Sequence, residues 1–524
     1  MESLRDSHVA VIRSFFAMAS TTLVVAAVAI LKEAVVAKSF GASDEFDAFV
    51  FSFSLVYFLP VLLTATLQGT FVPAFSGTLR LDAQRGWALA SITLNVLSMG
   101  LVICSVLLLI GGNSVISLMA PGFGGTKRGF ALSFLWSLLP TLVLTGINEQ
   151  LKNTLNALKF FAFPSFSQTI PSFLTIGTIL LMSKVWGIYA FVIGWNLGLL
   201  AQTILLAWYL KAQGGSYTLT LHLHLPEFQQ LIRSSIPYMV VPLSSLCILF
   251  ADRYFASLLG SGVISYFNYA EKLFRVPWMI IAAALFTTAL PFFSEHLDRG
   301  VHELKESISL TIRLAGFLTI PVAVGMGILA QPLISTLFER GAFTAFDTQH
   351  TATVVVGFMA SLFFYALTFI LDRGLCALGG TKILMQLAVA TLVIKIFCAW
   401  SMTMVWGLAG LALSTVPALA FQSVGMYVAL QKKIGSLSLV KLIASFGKIL
   451  FASSAMFFVV FAIWHNSYLT QVQQVLHIPN AVVLTVVVVV GTLVYWLVSI
   501  GVKSSEAAVL LRIFGQRIGV KGLE

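Results

Sequence analysis

The sequence predicts an all-α polytopic membrane protein of about fourteen transmembrane helices, arranged as two pseudo-symmetric six-helix lobes followed by two C-terminal helices. Three observations carry this. First, the 524-residue chain is 58% hydrophobic and only 10% charged, with a mean hydropathy of +0.96, whereas a soluble domain carries about 25% charged residues. No single water-soluble core absorbs that much apolar surface. Second, the apolar residues fall in runs of about 20, the length a helix needs to cross about 30 Å of hydrocarbon. They do not alternate in ten-residue strands, and within lipid only helices or closed barrels satisfy every backbone polar group. Third, the chain carries an internal repeat.

Taken in order, the apolar runs place spans at 13–31, 47–75, 87–111, 131–148, 161–182, 186–210, 235–258, 264–293, 310–330, 351–371, 383–404, 407–430, 446–464 and 480–501. Pro, Gly and charged residues separate them. Lys32-Glu33 and then Lys38 close span 1, Asp44, Glu45 and Asp47 open span 2, Glu149 and Lys152 mark the end of span 4, and Asp252-Arg253 close span 7. The first run continues as a span, with no short apolar core followed by a cleavage site, so no signal peptide is expected.

Fourteen spans put both termini on one side. Of the 31 basic residues, 21 fall in the tails and even-numbered connections, and the odd-numbered connections hold only Lys32, Lys38, Lys127, Arg128, Lys184 and Arg340. The positive-inside rule then places both termini in the cytoplasm of a bacterial inner membrane. That asymmetry accounts for most of the net charge of +11. The basic residues form no patch interleaved with aromatics, so no nucleic-acid partner is expected.

The repeat rests on four matches in order. Ala37 and Gly41 match Ala256 and Gly260, Pro60 matches Pro277, Val72–Ser76 matches Leu290–Ser294, and Leu155, Ala157 and Leu158 match Leu375, Ala377 and Leu378, at offsets of 217 to 220. Six spans separate the copies, so both lobes face the same way about an axis along the membrane normal, as in transporters with a site between repeats. The expected divisions are an N-terminal lobe over 1–212, a C-terminal lobe over 213–432, and spans 13 and 14 with a tail over 433–524.

Charges inside spans are expensive and usually face a cavity. They recur in spans 1, 2, 7 and 8, the same pairs of both lobes: Lys32, Glu33 and Lys38; Asp44, Glu45 and Asp47; Asp252 and Arg253; Glu271, Lys272 and Arg275. Cations on facing lobes suit a diphosphate. Lys32, Asp47, Glu271, Lys272 and Arg275 are therefore the candidate substrate-binding residues, with Lys38 at the rim. The structural alternative is ion pairing or snorkelling at helix ends. Lys395, between Ile394 and Ile396 in span 11, either meets substrate or pairs internally. Prolines within spans, among them Pro60, Pro171, Pro242 and Pro417, are expected to kink helices. Cys104, Cys247, Cys376 and Cys398 lie unpaired in apolar runs. His222-x-His224 alternates like a strand or an interfacial segment. No catalytic or metal-ligand constellation stands out, so no cofactor is expected. Without a Walker A pattern, a coupling ion or the membrane potential must supply the driving force.

Several motifs resemble the MurJ (MviN) family. Phe40-Gly41-Ala42, Asp47-Ala48-Phe49 and Gly69-Thr70-Phe71-Val72-Pro73-Ala74-Phe75 resemble its first two helices. Tyr269-Ala270-Glu271-Lys272-Leu273 with Pro277 resembles its helix 8, and Leu337-Phe338-Glu339-Arg340-Gly341-Ala342-Phe343-Thr344 its helix 9–10 connection. The resemblance covers about residues 10–430. It implies a non-enzymatic flippase of the multidrug/oligosaccharidyl-lipid/polysaccharide exporter superfamily, acting on lipid II, the undecaprenyl-diphosphate-linked peptidoglycan precursor, in a cationic cavity between lobes. By that resemblance Lys32 stands for a helix 1 Arg, Asp47 for a helix 2 Asp and Lys272 for a helix 8 Arg. The chain departs from the pattern at Ala26, at Leu59-Pro60 and at Gln68, where the family carries charges. A flippase for a capsule or exopolysaccharide unit, and an ion-coupled multidrug exporter, are the rival readings.

Overall fold

The computed structural model describes residues 24–466 and 479–518. The side chains of 283–299, 439 and 512–518 lie outside that description, as do the first part of span 1, His477 and the end of the tail. Among the described residues the chain is helical, with no strand. The helices are α1 (24–40), α2 (Asp44–Leu81), α3 (Ala83–Met119), α4 (Gly125–Ala157), α5 (Ala162–Ser167), α6 (Thr169–Trp186), α7 (Tyr189–Ala212), α8 (Pro226–Tyr238), α9 (Val240–Leu258), α10 (Val263–Arg299), α11 (Val301–Ile328), α12 (Ala330–Phe338), α13 (Ala345–Ala377), α14 (Thr381–Leu413), α15 (Thr415–Ile434), α16 (Leu439–Trp464), α17 (Asn480–Gly501) and α18 (Ser505–Ile518). Eleven segments are long and apolar enough to cross a membrane. With α1, α10 and α15 they make the fourteen spans in the expected order.

Two features differ from the sequence reading. Lys32 and Glu33 do not close span 1: α1 runs on past the exposed Lys38 to residue 40 and turns at Gly41, whose φ is +59°. In sequence, a buried pair of opposite charges within a helix is indistinguishable from its end. Of the two readings of Leu219–Leu225, strand or interfacial segment, the strand does not form; Asn95 Nδ2 on α3 donates to the carbonyls of Thr218 and Thr220.

The prolines act by position. Helical hydrogen bonding is interrupted at Gln168, Met239, Leu329 and Ser414, in each case three residues before a proline: Pro171, Pro242, Pro332 and Pro417. Each proline offers no N–H to the carbonyl four residues back, and its ring crowds that carbonyl. Pro60 and Pro73 leave α2 unbroken, as Pro321 does α11. A separate bend in α14 falls at Gly407, where φ is +55°.

Contacts divide the chain into two compact units, Met1–Asn268 with Arg340–Asp347, and Tyr269–Glu339 with Thr348–Glu524. In the first, α2 packs along α4 through aromatic pairs such as Phe49–Phe134, and against the α3–α4 connection through Phe51 and Phe123. Small residues let α6 and α7 approach closely: a Cβ on Gly198 would stand 2.4 Å from Pro171 Cα, the kind of contact that packs helices in lipid. A polar seam joins α4 to α7, where Thr141 Oγ1 donates to Asn196 Oδ1 at 2.6 Å and Asn148 Nδ2 to the Leu199 carbonyl at 3.1 Å. The far part of α2 meets α8 at Thr70 and Ser235, whose hydroxyls are 2.9 Å apart. In the second unit α11, α16 and α17 build a core of Phe317, Ile449, Met456, Val487 and Tyr495, and Tyr495 Oη donates to the Phe317 carbonyl at 2.9 Å. Arg313 on α11 pairs with the buried Glu506 of α18 at 3.0 Å.

Candidate functional site

The first unit gathers four odd-numbered connections at one end. They meet through glycines. Gly41 and Gly341 both have left-handed backbone, with φ of +59° and +64°. A Cβ on Gly41 would lie 2.3 Å from the Ala342 carbonyl oxygen, and one on Gly341 would lie 2.3 Å from the Lys38 carbonyl oxygen. The Ala342 N–H donates to that Lys38 carbonyl at 2.9 Å. A Cβ on Gly122 would lie 1.9 Å from the Ser257 carbonyl oxygen, and one on Gly262 2.9 Å from that of Ala42. Thr344 and Asp347 form a reciprocal cap at the start of α13, with the Thr344 N–H donating to Asp347 Oδ2 at 2.8 Å. Tyr266 Oη reaches the other oxygen of Asp347 at 3.1 Å.

Asp47 ties this end together. Its side chain is fully buried. One oxygen accepts the Gly262 N–H at 2.8 Å and Lys127 Nζ at 2.7 Å. The other accepts the Ser265 N–H at 2.8 Å and also the Ser265 hydroxyl. Lys127 is shared with the exposed Asp44, also at 2.7 Å. One carboxylate at the start of α2 thus holds the start of α4 and the turn into α10. With four donors and no exposed surface, Asp47 has no capacity to meet a ligand here. It ties these elements together as a latch in this structure; the sequence reading places it as the charge balance beside a substrate cation. Lys127, Gly262 and Ser265 were not singled out by sequence. Lys127 stood only as one of the few basic residues of an odd-numbered connection, and the two backbone donors leave no signature in residue type.

Lys32 lies elsewhere in this unit. It is 7% exposed, pairs with Glu33 at 3.0 Å, and sits 4.7 Å above the Trp195 ring and 5.4 Å from that of Phe191. Trp195 in turn donates its indole N–H to Tyr57 Oη at 3.1 Å. Lys32 is therefore a cation held against two aromatic rings of α7, one of them anchored to α2 through Tyr57. Arg253 is buried and donates to the Ile264 carbonyl at 3.0 Å.

In the second unit, Arg275 and Glu271 form an i,i+4 pair at 2.7 Å, with the guanidinium side chain 61% exposed. Lys272, on the same helix, is half-buried. Lys395 is fully buried. Its ammonium donates to Ser414 Oγ and Thr415 Oγ1, both at 2.8 Å, where α14 passes to α15, so it bonds within its own unit. Among the described residues no group of three or more His, Cys, Asp or Glu is placed to hold a metal.

Eleven helices among the described residues that are long and apolar enough to cross a membrane, with charged groups buried among them, define the class: a multi-pass membrane protein. Comparison with known proteins narrows it. The family profile described as lipid II flippase MurJ matches residues 36–482, and the chain belongs to that family of bacterial inner-membrane transporters, which are not enzymes. It is 31% identical over 288 residues to the probable lipid II flippase MurJ of Bdellovibrio bacteriovorus, covering 53% of this chain and 54% of that protein. It is 25% identical over 436 residues to the lipid II flippase MurJ of Burkholderia cenocepacia, covering 80% and 84%. Its fold matches a solved lipid II flippase MurJ in an inward closed conformation, with a TM-score of 0.78 at 21% identity over 95% of this chain and 99% of that one.

Proposed function

We propose that this chain moves lipid II from the cytoplasmic to the periplasmic leaflet by alternating access. The family match across residues 36–482 carries this reading, and it favours lipid II over a capsule or exopolysaccharide unit and over a soluble drug. Asp47 supplies a mechanism for one gate. Its network holds the odd-numbered connections together, and the scarcity of basic residues there supports a periplasmic position for that end and a cytoplasmic one for both termini. Release to the periplasm then requires Asp47 to give up Gly262, Ser265 and Lys127. Lys32, Lys272 and Arg275 are proposed as the cations for the diphosphate, with Glu271 orienting Arg275. The internal repeat supports lobes over 1–212 and 213–432, with 433–524 as an appendage. A coupling ion or the membrane potential drives the cycle. The test is replacement. In a bacterium depleted of its own lipid II flippase, expression of this chain restores growth and prevents lipid II from accumulating in the cytoplasmic leaflet. Accumulation despite normal membrane expression would overturn the reading.

A further inference from the structure

The end of α4 remote from the latch, about 37 Å along the helix from Lys127 at 1.5 Å per residue, borders a cavity of about 290 Å³ between α2, α4 and the α5–α6 junction. Its wall is polar. It carries four primary amides, Gln68, Asn153, Asn156 and Gln168, beside the ion pair of Lys152 with Glu149. Lys152 and Asn153 are 9% and 3% exposed. Asn153 Nδ2 is buried and has no hydrogen-bond partner among the described residues. Buried polar groups are seldom left so, and Asn153 belongs to the cavity wall, so the amides there have hydrogen-bonding capacity to offer a ligand.

The chemistry of the wall selects the ligand. Lys152 already neutralises Glu149, so the cavity has no net charge to offer. A phosphate would meet the Glu149 carboxylate, and a metal cation would meet the Lys152 ammonium. Each primary amide presents two donors and an acceptor, which suits a neutral group carrying both in dense array. A sugar ring with hydroxyl and acetamido groups is such a ligand. The volume lies at the small end of ligand pockets, about 300–1,000 Å³, enough for one ring. We infer that this cavity is a sugar subsite, which takes the N-acetylated sugar next to the diphosphate of the lipid-linked substrate. The inference rests on the lipid II reading above and adds the part of the molecule that reads the glycan.

The test compares two lipids on the purified full chain in nanodiscs: lipid II, and undecaprenyl diphosphate, which has no sugar. The wild-type protein binds lipid II more tightly. Asn153→Leu, and separately Gln168→Leu at the exposed rim where folding is not at stake, each cut that preference about three- to tenfold, the value of one neutral hydrogen bond. Affinity for undecaprenyl diphosphate stays as it was. A preference that survives both substitutions, or a wild type that binds the two lipids equally, overturns the sugar subsite alone. A wild type that binds neither lipid overturns the lipid II reading and the subsite with it.

Discussion

Replacing Asp47 by Ala should release the closed end of the first unit. The substitution strands two buried backbone donors, those of Gly262 and Ser265, and leaves Lys127 only the exposed Asp44. Removing one partner of a buried, hydrogen-bonded pair costs about 3–5 kcal/mol. If the open form makes none of these bonds, the whole cost falls on the closed form. At 1.4 kcal/mol per tenfold, the open population rises by about two to three and a half orders of magnitude. Asp47→Asn keeps the shape and some acceptor capacity while losing the charge, so it should fall between, at about 1.5–3 kcal/mol. The assay is labelling of a Val263→Cys reporter, buried in the closed end, by a membrane-impermeant maleimide from the periplasmic face. Cys104, Cys247, Cys376 and Cys398 are replaced by Ala beforehand. Labelling should accelerate at least tenfold in Asp47→Ala, and adding Lys127→Ala should contribute little more, because the two residues share one network. A well-folded Asp47→Ala protein that labels no faster than its parent would refute the latch.

Three further outcomes are expected. Gly341→Ala combines a left-handed backbone, worth about 1–2 kcal/mol, with a Cβ 2.3 Å from the Lys38 carbonyl oxygen; it should lower thermal stability more than Gly379→Ala, where φ is also positive but the space is open. Lys272→Ala should weaken substrate binding by about 1.5–3 kcal/mol if the ammonium contacts phosphate, while Lys272→Arg keeps binding and Arg340→Ala is milder, as read by transbilayer movement of lipid II in vesicles of each variant. A reporter fused after Glu524 should be active only when it is one that works in the cytoplasm, and a fusion active in the periplasm would reverse the topology.

The spans were legible because hydrocarbon thickness imposes a length that the apolar runs display directly. Their ends were less so: α2 and α4 extend to Leu81 and Ala157, beyond the apolar cores, because helix continues wherever its polar residues reach water or one another. Lys32 and Glu33 misled for a related reason, since two charges that neutralise each other inside a helix look in sequence like the place where it leaves the membrane. The concentration of charge in spans 1, 2, 7 and 8 was visible, but what each charge does was not. Three of the four donors to Asp47 come from Gly262 and Ser265, more than two hundred residues away, and two of the four bonds use backbone N–H groups that any residue could offer. Glu149 and Lys152 stood out as charges at the end of a span; the cavity they border appears only when Gln68 and Gln168 are brought beside them.

We propose that this chain alone carries lipid II across a bilayer. The direct measurement is transbilayer movement of labelled lipid II in vesicles reconstituted with the purified protein, under an imposed membrane potential and ion gradient. Lipid II placed in one leaflet should become accessible to an impermeant lipid II-modifying enzyme on the other side, at a rate that rises with protein content and falls in Asp47→Ala. Movement no faster than in protein-free vesicles, from a protein shown to be folded and inserted, would contradict the account.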